Sequence, residues 1–185
     1  MNDIKLLIDN QDVSASNNRT FERKNPVTGE TATVAAAASA ADARKAADAA
    51  AAAFPEWSKM GPGARRKILL KAADIMESKA GEFGQLVLDE TGSTRMWGGF
   101  NANLAANMLR EAGAMTTQIQ GDIIPSDHPG LMAMGIRQPV GVVLGIAPWN
   151  APVILGTRAI AMPLACGNTV ILKASELCPA LHHLI

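Results

Sequence analysis

Two apolar runs near the end of the chain, "GVVLGIAP" (141–148) and "NTVILKA" (168–174), constrain the fold more than any other feature. Both are short, and the first shows no polar alternation that would mark a solvent face. They read as strands buried on both faces. Between them lies "PVILGTRAIAMPLACG", long enough for a helix, with Pro163 and Gly167 expected to close it off. Strand, helix and strand within about 35 residues form a βαβ unit. Its strands should be parallel and joined by a right-handed crossover. Parallel strands end at the same edge of the sheet, and open α/β sheets bind ligands at that edge. The residues just past the first strand are Ala147, Pro148, Trp149 and Asn150, and those past the second are Lys173, Ala174, Ser175 and Glu176. The topology alone therefore predicts that these two polar and aromatic stretches converge.

One stretch offers an indole, an amide and free backbone groups; the other offers an ammonium, a hydroxyl and a carboxylate. A carboxylate so placed can accept hydrogen bonds from ribose hydroxyls and would repel a 2′-phosphate, which favours NAD over NADP. The first βα turn lacks the GxGxxG phosphate fingerprint, so this is not the simple dinucleotide-binding arrangement. Each residue also has a plainer structural reading. Asn150 suits a helix N-cap, with Pro152 in the first turn. Glu176 suits the positive end of a helix beginning near Ser175. Lys173 suits a solvated strand end, and Trp149 a packing residue. Arg158 stands in an otherwise apolar helix, where an unpaired charge is costly to bury, so it must reach water, a carboxylate or a polar pocket.

The rest of the chain divides by pattern. Up to about residue 37, "KLLI", "TFERKNP" and "ETATVAA" read as strands separated by the turn compositions "NQD", "SASNN" and "PVTGE". From 39 to 117 the pattern is helical. Ser39 with Asp42 forms a capping-box signature before an Ala-rich segment. Ile68, Leu69, Ala72 and Ile75 mark the expected buried face of the next helix. "EFGQLVLDETG" continues as a helix to Gly92, and "NANLAANMLREAGAM" supplies another. Residues 118–139 alternate around "SDHPG" and read as a hairpin, with Pro125 and Pro139 arguing against a central sheet position.

Composition excludes several classes. The 185 residues are 48% apolar with a formal net charge of zero, and Lys and Arg are dispersed, so there is no nucleic-acid footprint. No apolar stretch is long enough to span a membrane, and the N-terminus has no secretory h-region. Cys166 and Cys178 sit in no paired or metal spacing, as expected of small buried or semi-buried residues in a reducing compartment. His128, His182 and His183 show no metal-ligand spacing, and the adjacent pair would point in different directions on a helix. The expectation is a cytoplasmic protein.

The stretches "PVGVVLGIAPWNAPV" and "AMPLACGNTVILKASE", with PWN and KxSE at this separation and a GNT turn between them, strongly resemble the aldehyde dehydrogenase superfamily. "NPVTGE" and the helical segment after it resemble that family's N-terminal region. The run "PWNAPVILGTRAIAMPLACGNT" is similar to the branch that oxidises aromatic aldehydes of the salicylaldehyde and vanillin type.

The resemblance implies an α/β fold: residues 1–117 as the N-terminal part of an NAD-binding domain, 118–139 as an oligomerisation arm, and 140–185 as the first βαβ unit of an incomplete Rossmann-like cofactor domain. It implies that Asn150 helps form the oxyanion hole when a Cys attacks the aldehyde, a donor worth roughly 3 to 4 kcal/mol. Ile146, Ala147, Pro148 and Trp149 would line the cofactor, Lys173 and Glu176 would hold the adenine ribose, and Ser175 would sit beside them. Arg158 would touch the ring's oxygen substituent, and the arm would pair like subunits. The family's nucleophilic Cys, general-base Glu and pyrophosphate turn lie downstream of KxSE. Neither Cys166 nor Cys178 takes the nucleophile's place. The chain is thus expected to be an N-terminal piece of an NAD-dependent aromatic aldehyde dehydrogenase, inactive alone. The alternatives are a dehydrogenase for aliphatic aldehydes or semialdehydes, or a non-catalytic module that binds nucleotide or pairs subunits.

Overall fold

The computed structural model describes residues 2–185. Five short strands open the chain: β1 (Asn2–Ile4), β2 (Leu6–Ile8), β3 (Gln11–Val13), β4 (Thr20–Lys24) and β5 (Thr31–Ala36). β5 lies between β1, which runs parallel to it, and β4, which runs antiparallel. β2 and β3 form a separate hairpin. The "NQD" stretch was expected to be all turn, but Gln11 and Asp12 belong to β3. The turn is Asp9 and Asn10, both with positive φ. That is the geometry of a two-residue hairpin connection, which Asp and Asn tolerate.

Four helices follow: α1 (Ala40–Lys59), α2 (Pro62–Ser78), α3 (Ala80–Thr91) and α4 (Arg95–Met115). The capping box at Ser39 and Asp42 closes in both directions. Gly92 ends α3 with φ 70°. The buried face of α2 differs from the expected one: Arg65, Leu69, Ala73 and Met76 are buried, whereas Ile68 and Ile75 are each 46% exposed. The stripe has turned by one residue because α4 approaches closely. A Cβ on Gly113 of α4 would lie 3.6 Å from the Leu69 Cβ, so the two helices pack in close contact at this point. α3 and α4 meet more tightly still, since a Cβ on Gly98 would fall 2.6 Å from the Gly84 Cα. The core runs along these contacts through Leu69, Phe83, Val87, Ala105, Leu109 and Val153.

The hairpin at 118–139 is present as β6 (Asp122–Ile124) and β7 (Ala133–Gly135), antiparallel and paired with nothing else among the described residues. The βαβ unit is present as β8 (Val142–Ile146), α5 (Pro152–Ala165) and β9 (Thr169–Lys173), with parallel strands, and α6 (Pro179–Leu184) follows. Three details depart from expectation. β8 is not buried on both faces: Val142, Leu144 and Ile146 are exposed, because α5 covers only the opposite face. α5 runs through Pro163 to Ala165 before Gly167, at φ 84°, ends it. Near a helix C-terminus a proline displaces only one hydrogen bond, and the last turn survives. The helix expected near Ser175 begins at Pro179, after a turn.

Polar staples lock the unit onto the helices. Trp57 Nε1 donates to the Leu164 carbonyl at 3.1 Å, and Thr169 Oγ1 to the Ala50 carbonyl at 2.8 Å. The buried Arg65 donates through Nε to the Ala165 carbonyl at 3.1 Å and through Nη1 to the Met60 carbonyl. In the GNT turn, Asn168 Oδ1 accepts from the Val140 and Gly141 amides at 2.7 and 3.1 Å, fixing the start of β8 beside the start of β9.

Candidate functional site

The register of β8 on β9 runs from Val142 opposite Thr169 to Ile146 opposite Lys173. The Ala147 amide extends the ladder by donating to the Lys173 carbonyl at 3.0 Å. Residues 147–150 and 174–176 therefore leave the sheet side by side, as the parallel topology predicted. A Cβ on Gly145 would lie 2.9 Å from the Ala159 Cβ, so glycine here lets α5 pack closely over β8.

In the first loop Ala147 is buried, while Pro148, Trp149 and Asn150 are exposed. Trp149 is 54% exposed and Ile146 68%, so the indole is not a core residue. Asn150 does not cap α5. The cap position is Ala151, with no side-chain hydrogen bond, and Pro152 is the first helical residue. Among the described residues the Asn150 amide has no hydrogen-bond partner, which leaves its N–H groups available to a ligand.

In the second loop Lys173 Nζ lies 3.2 Å from Glu176 Oε2, with both side chains more than half exposed. The main-chain N–H of Glu176 itself, and then the Lys173 ammonium, hold its carboxyl below the usual range. The carboxylate is thus charged and has acceptor capacity to spare, which fits the hydroxyls of a ribose. Ser175 stands differently. It is buried, and its hydroxyl accepts the Leu177 amide at 3.2 Å, so it shapes the turn from within.

Two residues that the patterns did not single out support this edge. The Ser175 amide donates to His182 Nδ1 at 3.1 Å, and His182 Nε2 lies 3.2 Å from the Pro152 carbonyl. Burial depresses the imidazole to a pKa of about 4. Glu90 of α3 is fully buried and accepts from Thr33 Oγ1 at 2.8 Å and from the Ala180 and Leu181 amides at 3.0 Å each. It holds the N-terminus of α6, where a carboxylate is favoured. Burial raises its pKa, partly offset by those donors. The signal for Glu90 in the sequence is its helical spacing from Phe83 and Val87, which sets it, and not its neighbour Asp89, on the buried face.

Arg158 reaches solvent. It is exposed on α5 and makes no ion pair among the described residues, about 9 Å along the helix from its start. Met162, one turn on, is exposed on the same side. Cys166 caps the far end of α5, about 20 Å from the loop edge. Cys178 is fully buried with its thiol pushed up to about 12, first by burial and then by Glu90. Cys178 is thus held as a neutral thiol away from solvent. Among the described residues no cluster of metal-ligating side chains occurs, and no helix is long and apolar enough to cross a membrane.

Comparison with known proteins bears on this geometry directly. A vanillin dehydrogenase from Pseudomonas fluorescens is 61% identical over the full 185 residues, which span 38% of that protein. The crystal structure of a salicylaldehyde dehydrogenase from Pseudomonas putida G7, complexed with salicylaldehyde, superposes with a TM-score of 0.96 at 49% identity over 100% of this chain and 38% of that one. The structure of PnpE in complex with nicotinamide adenine dinucleotide is 36% identical, with a TM-score of 0.92 over 98% of this chain and 38% of that one. The chain thus spans well under half the length of these relatives, and its architecture is that of the N-terminal portion of their fold. Residues 13–185, and with them both loops of the βαβ edge, match the aldehyde dehydrogenase family, and the chain belongs to that family.

Proposed function

We propose that this chain supplies half of the dinucleotide site and one oxyanion donor of an NAD-dependent dehydrogenase that oxidises an aromatic aldehyde to the acid. The observation that carries the reading is the convergence of an unpartnered Asn150 amide with the Lys173–Glu176 pair at one sheet edge. Lys173 and Glu176 hold the adenine ribose, and Ser175 keeps their turn in shape. Ile146, Pro148 and Trp149 present apolar surface to the cofactor, while Ala147 sets the backbone of that wall. The bound NAD would accept the hydride. The Asn150 amide donates to the aldehyde oxygen as negative charge develops on it. Arg158, exposed one side of α5 away, faces the polar substituent of the aromatic ring. The thiolate and general base come from outside these 185 residues, since neither Cys166 nor Cys178 is competent. The chain alone is therefore inactive as an aldehyde oxidant. The hairpin arm pairs like subunits, and the setting is cytoplasmic.

The test is calorimetric titration of the chain with NAD and with NADP. Saturable binding of NAD, weaker binding of NADP, and relaxed discrimination in Glu176→Gln are expected. NADP binding as tight as NAD, or no nucleotide binding at all, overturns the cofactor reading. NAD-dependent oxidation of salicylaldehyde by the purified chain would refute the assignment of the nucleophile. The Arg158 role has its own discriminator. Arg158→Leu in a dehydrogenase carrying this segment should lose activity on hydroxylated benzaldehydes relative to benzaldehyde; an unchanged ratio would favour aliphatic or semialdehyde substrates.

A further inference from the structure

His182 lies outside both loops yet touches the second loop and the helix start that follows the first. Its Nδ1 receives the Ser175 amide at 3.1 Å. A backbone N–H can only donate, so Nδ1 carries the lone pair and the ring proton sits on Nε2. That proton points to the Pro152 carbonyl, 3.2 Å away, which can only accept. The two partners therefore select the same tautomer, and both nitrogens are satisfied in a residue that is 5% exposed. Ser175 stands between Lys173 and Glu176, and Pro152 stands two residues after Asn150. The fold makes room for the ring. A Cβ on Gly156 of α5 would lie 3.1 Å from His182 Cδ2, so glycine at that position lets α6 lay the imidazole against α5.

We propose that His182 is a positioning residue that ties the ribose turn to the start of the helix after Asn150, so that the two halves of the edge keep one geometry. The inference rests on the reading of these loops as a cofactor and oxyanion site. The β-ladder joins the loops at their base through the Ala147 amide and Lys173 carbonyl. His182 joins them beyond it, where the backbone has left the sheet. Cys178 Sγ, 3.7 Å from Nδ1, and the Lys173 ammonium are the other titratable groups facing the ring, and neither offers it a negative charge. An imidazolium would set an N–H against the Ser175 N–H, so the tie works only with a neutral ring.

The experiment is nitrogen-15 NMR of the imidazoles in the 185-residue chain from pH 5 to 8, with backbone amide shifts and NAD titration of two variants. The expected wild-type signature is a His182 ring that stays neutral with its proton on Nε2. His182→Leu should move the amide signals of both Ser175 and residues 150–154 and weaken NAD binding roughly tenfold, the scale of one buried hydrogen bond lost. Leu181→Ala, in the same helix with its side chain in the hydrophobic core, should lower the melting temperature and leave those signals and the affinity alone. A ring protonated on Nδ1, a ring that charges near pH 6.5, or equal loss of affinity in both variants overturns the proposal. If His182→Leu does not fold, the wild-type tautomer decides. If the wild-type chain does not bind NAD, the cofactor reading fails, and the amide shifts still settle whether His182 couples the loops.

Discussion

At the scale of single residues, the largest energetic stake is Glu90. Its carboxylate answers three donors, from β5 and from the first turn of α6. Glu90→Gln keeps the shape but turns an NH2 group toward backbone amides, leaving buried donors unpaired. A loss of about 3 kcal/mol is expected in urea unfolding at pH 7. Conservation of stability would mean that water replaces the side chain. Glu90 was hidden in the sequence because a helical acid looks the same whether it meets solvent or another helix's amides. Asn150 shows the converse. Its position before Pro152 fits a cap by propensity, yet Ala151 occupies the cap position and the amide stays free. Local preference lists what a residue can do, and the path of the chain selects among those roles.

At the scale of elements, close approach and exposure set the expectations. α3 and α4 touch through Gly84 and Gly98, so Gly98→Ala forces the helices apart and should cost about 1 to 3 kcal/mol by thermal unfolding. An unchanged melting temperature would show that the pair shifts freely. The arm exposes Ile123 at 78%, with Leu131, Met132 and Met134 also open to solvent. A two-stranded hairpin is marginal alone, and such a row of apolar side chains calls for a partner. Sedimentation should show self-association that Ile123→Glu with Met134→Glu abolishes without lowering the melting temperature; a monomer in both cases removes the pairing role. The helices and the hairpin were legible because capping, Gly92 and "SDHPG" are local signals. The buried face of α2 was not. Ile68 and Ile75 share helical spacing with Leu69, and only the close passage of α4 chooses between two overlapping stripes.

At the scale of the whole molecule, acid should unfold the protein in stages. His182 is held neutral, with its pKa near 4 against an ordinary 6.5, so the unfolded chain binds a proton that the native chain refuses. Its contribution to stability is complete above pH 6.5 and is lost as pH falls to 4. Asp42, held near 2 by its capping-box amides and hydroxyls against an ordinary 3.8, contributes above pH 3.8 and loses that contribution as pH approaches 2. Glu90, with a raised pKa, acts in the opposite sense, gaining native stability as pH falls through its own range. Melting temperatures between pH 8 and 4 should decline, and the decline should flatten in His182→Leu. A flat profile in the wild type would mean that the imidazole is hydrated.

The sequence by itself determined the βαβ unit, its parallel strands and the meeting of two loops at one edge. Those follow from short apolar runs, glycine and proline placement, and the handedness of the chain, all of which act over a few residues or through topology. Only the tertiary structure decided which side of each element is covered. The apolar run of β8 predicts burial on both faces, yet one face stands open, because burial depends on which layers lie above and below a strand. The same holds for His182 and Glu90, whose partners lie 7 to 91 residues away along the chain. Contacts of that kind leave no period in the sequence, since they are made by packing rather than by spacing.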